Sequence, residues 1–315
     1  MSRWRRVPPA LAATLALAVL VIVLAARHPR LMNAQFASNL VNDHVVLGLV
    51  AIGAALVLIA GSIDLSVGAV MALCSTALAA TIRAGLDPAA AVLVALAIGA
   101  AFGAAHGALV TRLSVPPFIA TLAGMFLARG LSLKLSPEAI AIGSPRFREW
   151  CQARIEIGAR FDLTLLGGAF VLAVVVAQFV LARTPFGRDL YAVGGDAHAA
   201  ELLGVRTRRV TFSAHVLSGL LAGAAGVAFA LFGASGNPSE GVGLELEAIA
   251  AAVAGGVALS GGRGSALGAA VGVVMFGVIR TFLLAEGTSD AGTYRVAVGA
   301  LLFVFLGVQR AISAR

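Results

Sequence analysis

The chain has 315 residues, 60% of them hydrophobic and 12% charged, with a mean hydropathy of +0.97. A soluble domain carries about 25% charge, so an ordinary cytosolic enzyme, a disordered chain and a disulfide scaffold are excluded. Net charge is +8, and all but Lys134 of the 23 basic residues are Arg, set in short clusters between apolar runs. That is the pattern of membrane-flanking loops and not of a nucleic-acid surface, which interleaves aromatics with its cations.

The first apolar run, Pro8 to Ala26, follows Arg3, Arg5 and Arg6. It is long for a signal peptide and has no A-x-A site before Arg27, so it reads as a retained helix. As one helix, Val45 to Arg83 would be about 58 Å long, roughly twice the hydrocarbon thickness. It must turn, and Gly61-Ser62-Ile63-Asp64-Leu65-Ser66-Val67-Gly68 is the place, giving spans near 45–60 and 66–83. Ala89 to Thr111 is the fourth span. Phe118 to Lys134 is the fifth, entered through the extended break that Pro116-Pro117 forces. A polar stretch covers 135–162. Further spans lie near 163–182, 211–233, 245–260, 264–285 and 294–312. The expected fold is an all-α polytopic membrane protein of about ten transmembrane helices, one transmembrane domain over 1–315.

Arginine placement sets the expected orientation. The 183–210 loop holds Arg183, Arg188, Arg206, Arg208 and Arg209, so it is expected on the cytoplasmic side. Ten spans then put both termini, Arg112, Arg263, Arg310 and Arg315 inside as well. The 135–162 loop faces outward despite Arg146, Arg148, Arg154 and Arg160, partly offset by Glu138, Glu149, Glu156 and Asp162. Gly99, Gly103 and Gly107, Gly219 with Gly223, and Gly268 with Gly272 repeat every four residues, the spacing that lets helix backbones approach closely in lipid. Trp4, Trp150, Tyr191 and Tyr294 fall near span ends, as an aromatic belt does.

Catalytic constellations are missing from the sequence. Lys134 lies between Leu133 and Leu135, so there is no Walker A loop, and the chain cannot grip ATP that way. His28, His44, His106, His198 and His215 lack metal-ligand spacing, and no G-x-S-x-G elbow occurs. No metal and no cofactor are expected. Asp64, with His106 beside it in the count, is the ionisable equipment read inside the spans, thin for a proton relay. Glu245 and Glu247 stand at the mouth of the eighth span. Asp64 has two readings, a cap on backbone amides at the next helix with Ser66 and Gly68, or contact with a substrate. In the 183–210 loop, Asp196 suits a cap on a short helix through Leu203 with Gly204 as terminator, showing His198, Glu201 and Leu202 to solvent.

Four blocks in order resemble the bacterial sugar-importing ABC permeases of the ribose, xylose and galactose class. They are Gly61 to Gly68; Val115-Pro116-Pro117-Phe118-Ile119-Ala120-Thr121 through Met125, with Arg129-Gly130; Phe186-Gly187-Arg188 with Tyr191 to Asp196; and Glu245 to Ala251 with Leu259-Ser260-Gly261-Gly262-Arg263-Gly264. Within that class the wording is nearest to permease subunits of galactofuranose importers, on Ala123-Gly124-Met125-Phe126, Val242-Gly243-Leu244-Glu245 and the ending near Gln309-Arg310. Three positions depart from the usual wording: Ser62 for Gly, Asp196 for Asn and Glu247 for Asp. They leave the class intact and the sugar open.

The resemblance implies a multi-pass bacterial inner-membrane subunit, without enzymatic activity of its own, that imports a monosaccharide. A cytosolic ABC ATPase subunit would power it and a periplasmic sugar-binding protein would feed it. A second permease subunit, in a heterodimer by analogy, would complete the pathway. It assigns Gly61, Asp64, Ser66 and Gly68 to the pathway turn. Gly187, Gly195, Asp196, Ala200, Glu201 and Gly204 go to the ATPase-coupling loop, and Glu245, Glu247, Gly261, Gly262 and Arg263 to the second-half motif. Alternatives are a permease for nucleosides or branched-chain amino acids, and a self-sufficient secondary carrier.

Overall fold

The computed structural model describes residues 9–156 and 162–313. Arg3, Trp4, Arg5, Arg6, Pro8, Arg160 and Arg315 lie outside the described residues, as do the side chains of Gln309 and Arg310. The described chain is mostly helical: α1 (Pro9–Arg27), α2 (Ala34–Asn42), α3 (Val45–Ile59), α4 (Val67–Arg83), α5 (Pro88–Arg112), α6 (Pro117–Leu135), α7 (Pro145–Gln152), α8 (Leu165–Arg183), α9 (Pro185–Gly195), α10 (Ala197–Leu202), α11 (Thr207–Gly233), α12 (Leu244–Ala254), α13 (Ala266–Ala285) and α14 (Ala291–Ser313). The fold is not wholly α. Two short antiparallel ladders pair β1 (Ile140–Ala141) with β4 (Ser235–Gly236), and β2 (Arg154–Glu156) with β3 (Asp162–Thr164).

Every apolar run of the sequence carries a helix, yet the helices differ in reach. Five of the described helices, α5, α6, α8, α11 and α13, are long and apolar enough to cross a bilayer, and the α2–α3 pair, bent by 57°, makes a sixth. The 39-residue run turns where its length demands, between Ile59 and Val67. The eighth run is shorter than expected: α12 has 11 residues, about 17 Å at 1.5 Å each. The reason is local. Gly255 and Gly256 stop the helix, Gly256 with a positive φ of 95°. Ahead of α12 the chain is a non-helical segment, a two-residue strand followed by turns.

That segment leaves α11 through Ala234 in the left-handed region and pairs Ser235 and Gly236 with β1. It then runs back along α4, with Gly236 against Ser75 and Gly241 against Gly68. Irregular backbone at membrane depth is tolerated where protein covers it or satisfies its polar groups. Here the Arg129 Nη1 donates to Pro238 O at 2.5 Å and Glu240 O at 2.7 Å, and Pro238 itself is buried.

α3 is buried along nearly its whole length and forms the centre of the core. α11 packs against α3, α4 and α5. The α5–α11 crossing uses the repeated glycines: a Cβ on Gly99 would strike Gly219 O, one on Gly219 would strike Gly99 O, and Gly103 seats on His215 O. Gly268 and Gly272 do the same for α13 against Gly255 and Ala251 of the α12 end. Outward, Phe126 and Leu127 of α6 and Leu172, Val175, Val176 and Phe179 of α8 are exposed, an apolar exterior suited to lipid.

In the 135–162 stretch two of the arginines have partners. Arg154 pairs with Asp162 at 2.7 Å, and Arg146 pairs with Asp87 while lying over the Trp150 ring. The Asp162 carboxylate also accepts from Gln35 of α2, so hydrogen bonds from Arg154 and Gln35 hold it below the ordinary aspartate range.

Candidate functional site

The chain between α3 and α4 unwinds at Gly61, whose φ of +75° a side chain would resist. The turn brings Asp64 to the start of α4, where free amides need an acceptor. Asp64 is 3% exposed. One carboxylate oxygen accepts from Ser66 N at 3.0 Å and Ser66 Oγ at 2.6 Å, and the other accepts from Ser218 Oγ of α11 at 2.9 Å. The carboxylate therefore caps its own turn and ties it to another helix.

Two histidines complete the cluster. His106 of α5 brings Nδ1 to 3.4 Å from Ser66 Oγ, seated against Gly124, where a Cβ would collide with the imidazole. His215 of α11 is fully buried, shares a 2.9 Å hydrogen bond with Ser62 Oγ, and has an Nδ1 without a hydrogen-bond partner among the described residues. The reading of ionisable groups within the spans is thus corrected: His215 belongs with Asp64 and His106. Its position eight residues into α11, four before Gly219, was visible in the sequence. The tertiary pairings of Ser62 and Ser218 were not.

Gly68 faces the second half of the chain. A Cβ there would strike Gly241 O and crowd the Glu245 carboxylate. Glu245 accepts from Gly243 N at 3.2 Å, and Glu247 accepts from the Tyr294 hydroxyl at 2.5 Å. Tyr294 is thereby engaged with α12, beyond a role in an aromatic belt.

The second break, residues 255–265, is built almost wholly from backbone. Gly261, Gly262 and Gly264 all have positive φ, and Ala258 N donates to Arg263 O at 2.9 Å. This break meets the first one. Gly262 N donates to Ile59 O at 2.9 Å, and a Cβ on Gly261 would strike Gly194 O and Gly61. Gly194, near the end of α9, fits between them, with Ile59 O and Gly262 N where its Cβ would be. Tyr191 of α9 adds a hydrogen bond from its hydroxyl to Gly264 O at 2.8 Å, and burial raises its pKa.

α9 is a helix inside the 183–210 stretch expected as a loop from the sequence. Thr184 in fact caps a new helix, its Oγ1 accepting from Gly187 N at 3.2 Å with Pro185 in the first turn. Gly187 is pressed against the Val180 and Leu181 carbonyls, while a Cβ on Gly195 would point into open space, its backbone lying against Gly262. Asp196 caps α10 by accepting from Ala199 N at 3.0 Å, and Gly204 follows with φ +84°. Ala200 is buried; His198, Glu201 and Leu202 are exposed. The sequence-assigned residues accordingly divide. Gly61, Gly261 and Gly262 converge on Gly194, and Gly68 meets Glu245, whereas Glu201, Gly204 and Arg263 face outward or stand apart. Among the described residues no group of three His, Cys, Asp or Glu side chains is arranged to hold a metal ion.

Comparison with known proteins addresses what such a bundle belongs to. The family model for the branched-chain amino acid transport system permease component matches residues 36–306. The inner membrane ABC transporter permease protein YjfF of Escherichia coli K12 is 39% identical, over 90% of this chain and 86% of its own. The ribose import permease protein RbsC of Bacillus subtilis is 34% identical over 95% of this chain and 92% of its own. The fructose import permease protein FruG of Bifidobacterium longum is 32% identical over 98% and 93%. No solved structure matches the chain. With the family match spanning both helix breaks and the helices that join them, the chain belongs to the family of branched-chain amino acid transport system permease components, among relatives that are sugar-import permeases.

Proposed function

We propose that this chain is the inner-membrane permease subunit of an ATP-driven importer of a monosaccharide, of the ribose, fructose or galactofuranose kind. A separate cytosolic ATPase subunit supplies the energy and a periplasmic binding protein delivers the sugar. The names of the ribose and fructose import permeases support the solute class. On this reading α1, α3, α4, α5, α6, α8, α11, α12, α13 and α14 are the ten membrane passages, α12 completed by the non-helical segment before it. Both termini and the α9–α10 region lie in the cytoplasm. The pathway forms with a second permease subunit, a related rather than identical one by analogy with galactofuranose-type systems.

The observation that carries the reading is the meeting of both helix breaks on Gly194, in the last turn of α9 and directly before α10. Glycine-to-backbone packing has no side-chain slack, so a displacement of α10 transmitted through α9 bears on both breaks at once. A force applied at the ATPase contact thereby reaches the two points where the membrane helices are already unwound. Asp64, Ser66 and Ser218 hold the first break to α11 while the second is pulled, and Gly68 keeps the turn against the non-helical segment and Glu245. The sugar never needs covalent chemistry; it needs a passage whose two ends open in turn.

Reconstitution tests this. Proteoliposomes holding the chain with its second permease subunit and ATPase, plus the binding protein, are expected to accumulate sugar on ATP hydrolysis. The permease alone is expected to move none. Uphill uptake by the permease chain alone would overturn the reading in favour of a secondary carrier. Cysteine labelling at 201 from the outside of intact cells would overturn the orientation.

A further inference from the structure

The non-helical segment between α11 and α12 lies at the depth of the helices around it. It passes α4 from Ser75 to Gly68. Arg129, which holds it, stands about 9 Å inside the end of α6 at 1.5 Å per residue, with exposed Phe126 and Leu127 before it and Leu131 and Leu133 after it. Yet the segment shows polar groups at its surface: Ser239 and Glu240 are exposed, beside Val242 at 73% and Leu246 at 63%. The exposed residues of α8 from Leu165 to Phe179 are, by contrast, all apolar. Backbone outside helices does not face hydrocarbon; at such depth protein covers it or it lines a water-filled cavity. A charged side chain there is costly and marks a route for solute.

The polar groups are only partly spent. Arg129 Nη1 donates to Pro238 O and Glu240 O, pinning the backbone on both sides of Ser239, while Nε and Nη2 have no hydrogen-bond partner among the described residues. Asn237 uses both ends of its amide within the segment: Oδ1 accepts from Ser239 N at 3.0 Å, and Nδ2 donates to Glu240 Oε1 at 3.3 Å. Ser239 Oγ and Glu240 Oε2 are left over, and among the described residues neither Arg129 nor Glu240 has an ion pair.

From this we infer that the 237–246 face is a wall of the solute passage, closed on its other side by the second permease subunit, and that Arg129, Ser239 and Glu240 take the hydroxyl groups of the monosaccharide as it crosses. The inference rests on the importer reading. A sugar hydroxyl both donates and accepts. Spare guanidinium N–H groups, a serine hydroxyl and a carboxylate oxygen offer it both kinds of partner along one short stretch. Val242 and Leu246 offer apolar surface to the C–H face of the ring. Glu240 and Glu245 both lie within electrostatic reach of Arg129, so the wall is unsuited to an anionic solute and fits a neutral polyol. Asn237 is a positioning residue that aims the Glu240 carboxylate. The contacts are few, which suits a passage that must release what it holds.

Thiol accessibility in the reconstituted importer tests this. Cys74 is buried and stays, and Cys151→Ser removes the half-buried thiol. On that background Ser239→Cys and, as the lipid-facing control, Phe179→Cys are treated with a charged, membrane-impermeant methanethiosulfonate. Position 239 is expected to react about tenfold or more faster than 179, because a charged reagent enters water and not hydrocarbon. The sugar is whichever of ribose, fructose and galactose the unaltered complex takes up, and its delivery by the binding protein is expected to slow the reaction at 239 several-fold. Glu240→Gln is expected to cut uptake about tenfold, the worth of one lost hydrogen bond to a charged group, with membrane content and ATP hydrolysis retained. Equally slow reaction at 239 and 179 would overturn the passage wall and leave the importer reading intact. Fast reaction that leucine slows and the sugar does not would overturn the hydroxyl contacts in favour of an amino-acid solute. Fast reaction without protection, together with normal uptake by Glu240→Gln, would overturn the sugar contact. Uptake of none of the three sugars by the unaltered complex would overturn the importer reading itself.

Discussion

The two helix breaks do the same geometrical job by opposite means. The first, between α3 and α4, is fixed by side chains: Asp64, Ser62 and Ser66 reach Ser218, His215 and His106 on two other helices. The second, between α12 and α13, is fixed by backbone: glycines with positive φ, a turn closed by Ala258 and Arg263, and borrowed contacts with Ile59, Gly194 and Tyr191. A side-chain network anchors a segment to a particular place because each partner has a direction and a length. Glycine packing fixes only a distance of approach. The comparison teaches that the first break is the anchored one and the second is the follower, held chiefly to α9.

The largest effect is expected where both breaks are lost at once. Gly194→Leu would drive a side chain into Ile59 O and Gly262 N. Overpacking of this kind costs about 1–3 kcal/mol, or more when backbone must move. Transport is expected to fall by well over tenfold, with a lowered melting temperature. Wild-type uptake in vesicles from a Gly194→Leu strain would show that the breaks do not depend on α9.

Asp64→Asn comes next and attacks the anchored break alone. The amide keeps an acceptor for Ser66 N and Ser66 Oγ but brings an NH₂ where Ser218 Oγ now donates. A buried donor or acceptor left without its partner costs about 1–3 kcal/mol. Uptake is expected to drop several-fold while the amount inserted in the membrane stays near normal. Normal uptake by that variant discards the role of Asp64 altogether. Tyr191→Phe touches only the follower. It removes the hydrogen bond to Gly264 O, a loss of about 0.5–1.5 kcal/mol. The expected signature is more ATP hydrolysed per sugar moved, with folding little changed. An unchanged ratio places the transmission in the glycine contacts alone.

The unequal construction also explains which parts of the molecule could be read from the sequence. Length and hydropathy located the turn at Gly61–Gly68, because a 39-residue apolar run cannot be one membrane helix. The four-residue glycine spacing on α5 and α11 marked a close crossing, and the glycines do pack there. Asp196 and Gly204 bracketed α10, since caps are local chemistry. What escaped has a tertiary cause. The segment that leads into α12 is stitched to β1 and Arg129, residues about 100 positions away. The pairing of Asp64 with Ser218 and of Ser62 with His215 joins residues that no local pattern connects. α9 was hidden because Thr-Pro-x-Gly serves equally well as a stop and as a start. Nor does any sequence pattern announce that Gly194 sits between Gly262 and Ile59.

The smallest effect serves as the control on the comparison, because it concerns neither break. Asp162 ties β3 to α2 and Arg154 on the exposed side of the 135–162 stretch. Its pKa in the folded protein lies below the ordinary value of 3.8, chiefly through the hydrogen bond from Arg154. A lowered carboxylate pKa adds stability that is complete above the unfolded value and is lost as pH falls through the folded one. Acidification below about pH 4 is therefore expected to loosen β2 and β3, and Asp162→Asn is expected to remove that acid step. The group is solvent-exposed, so the change in overall melting temperature should be slight. Hydrogen exchange at β2 and β3, measured against exchange at α4 and α13, reads it directly. Loosening confined to the ladder leaves the two breaks as the mechanical centre. Loosening that spreads to α4 would mean that the anchored break leans on the outer ladder as well as on α11, and the contrast with the follower would need to be redrawn from α2 inward.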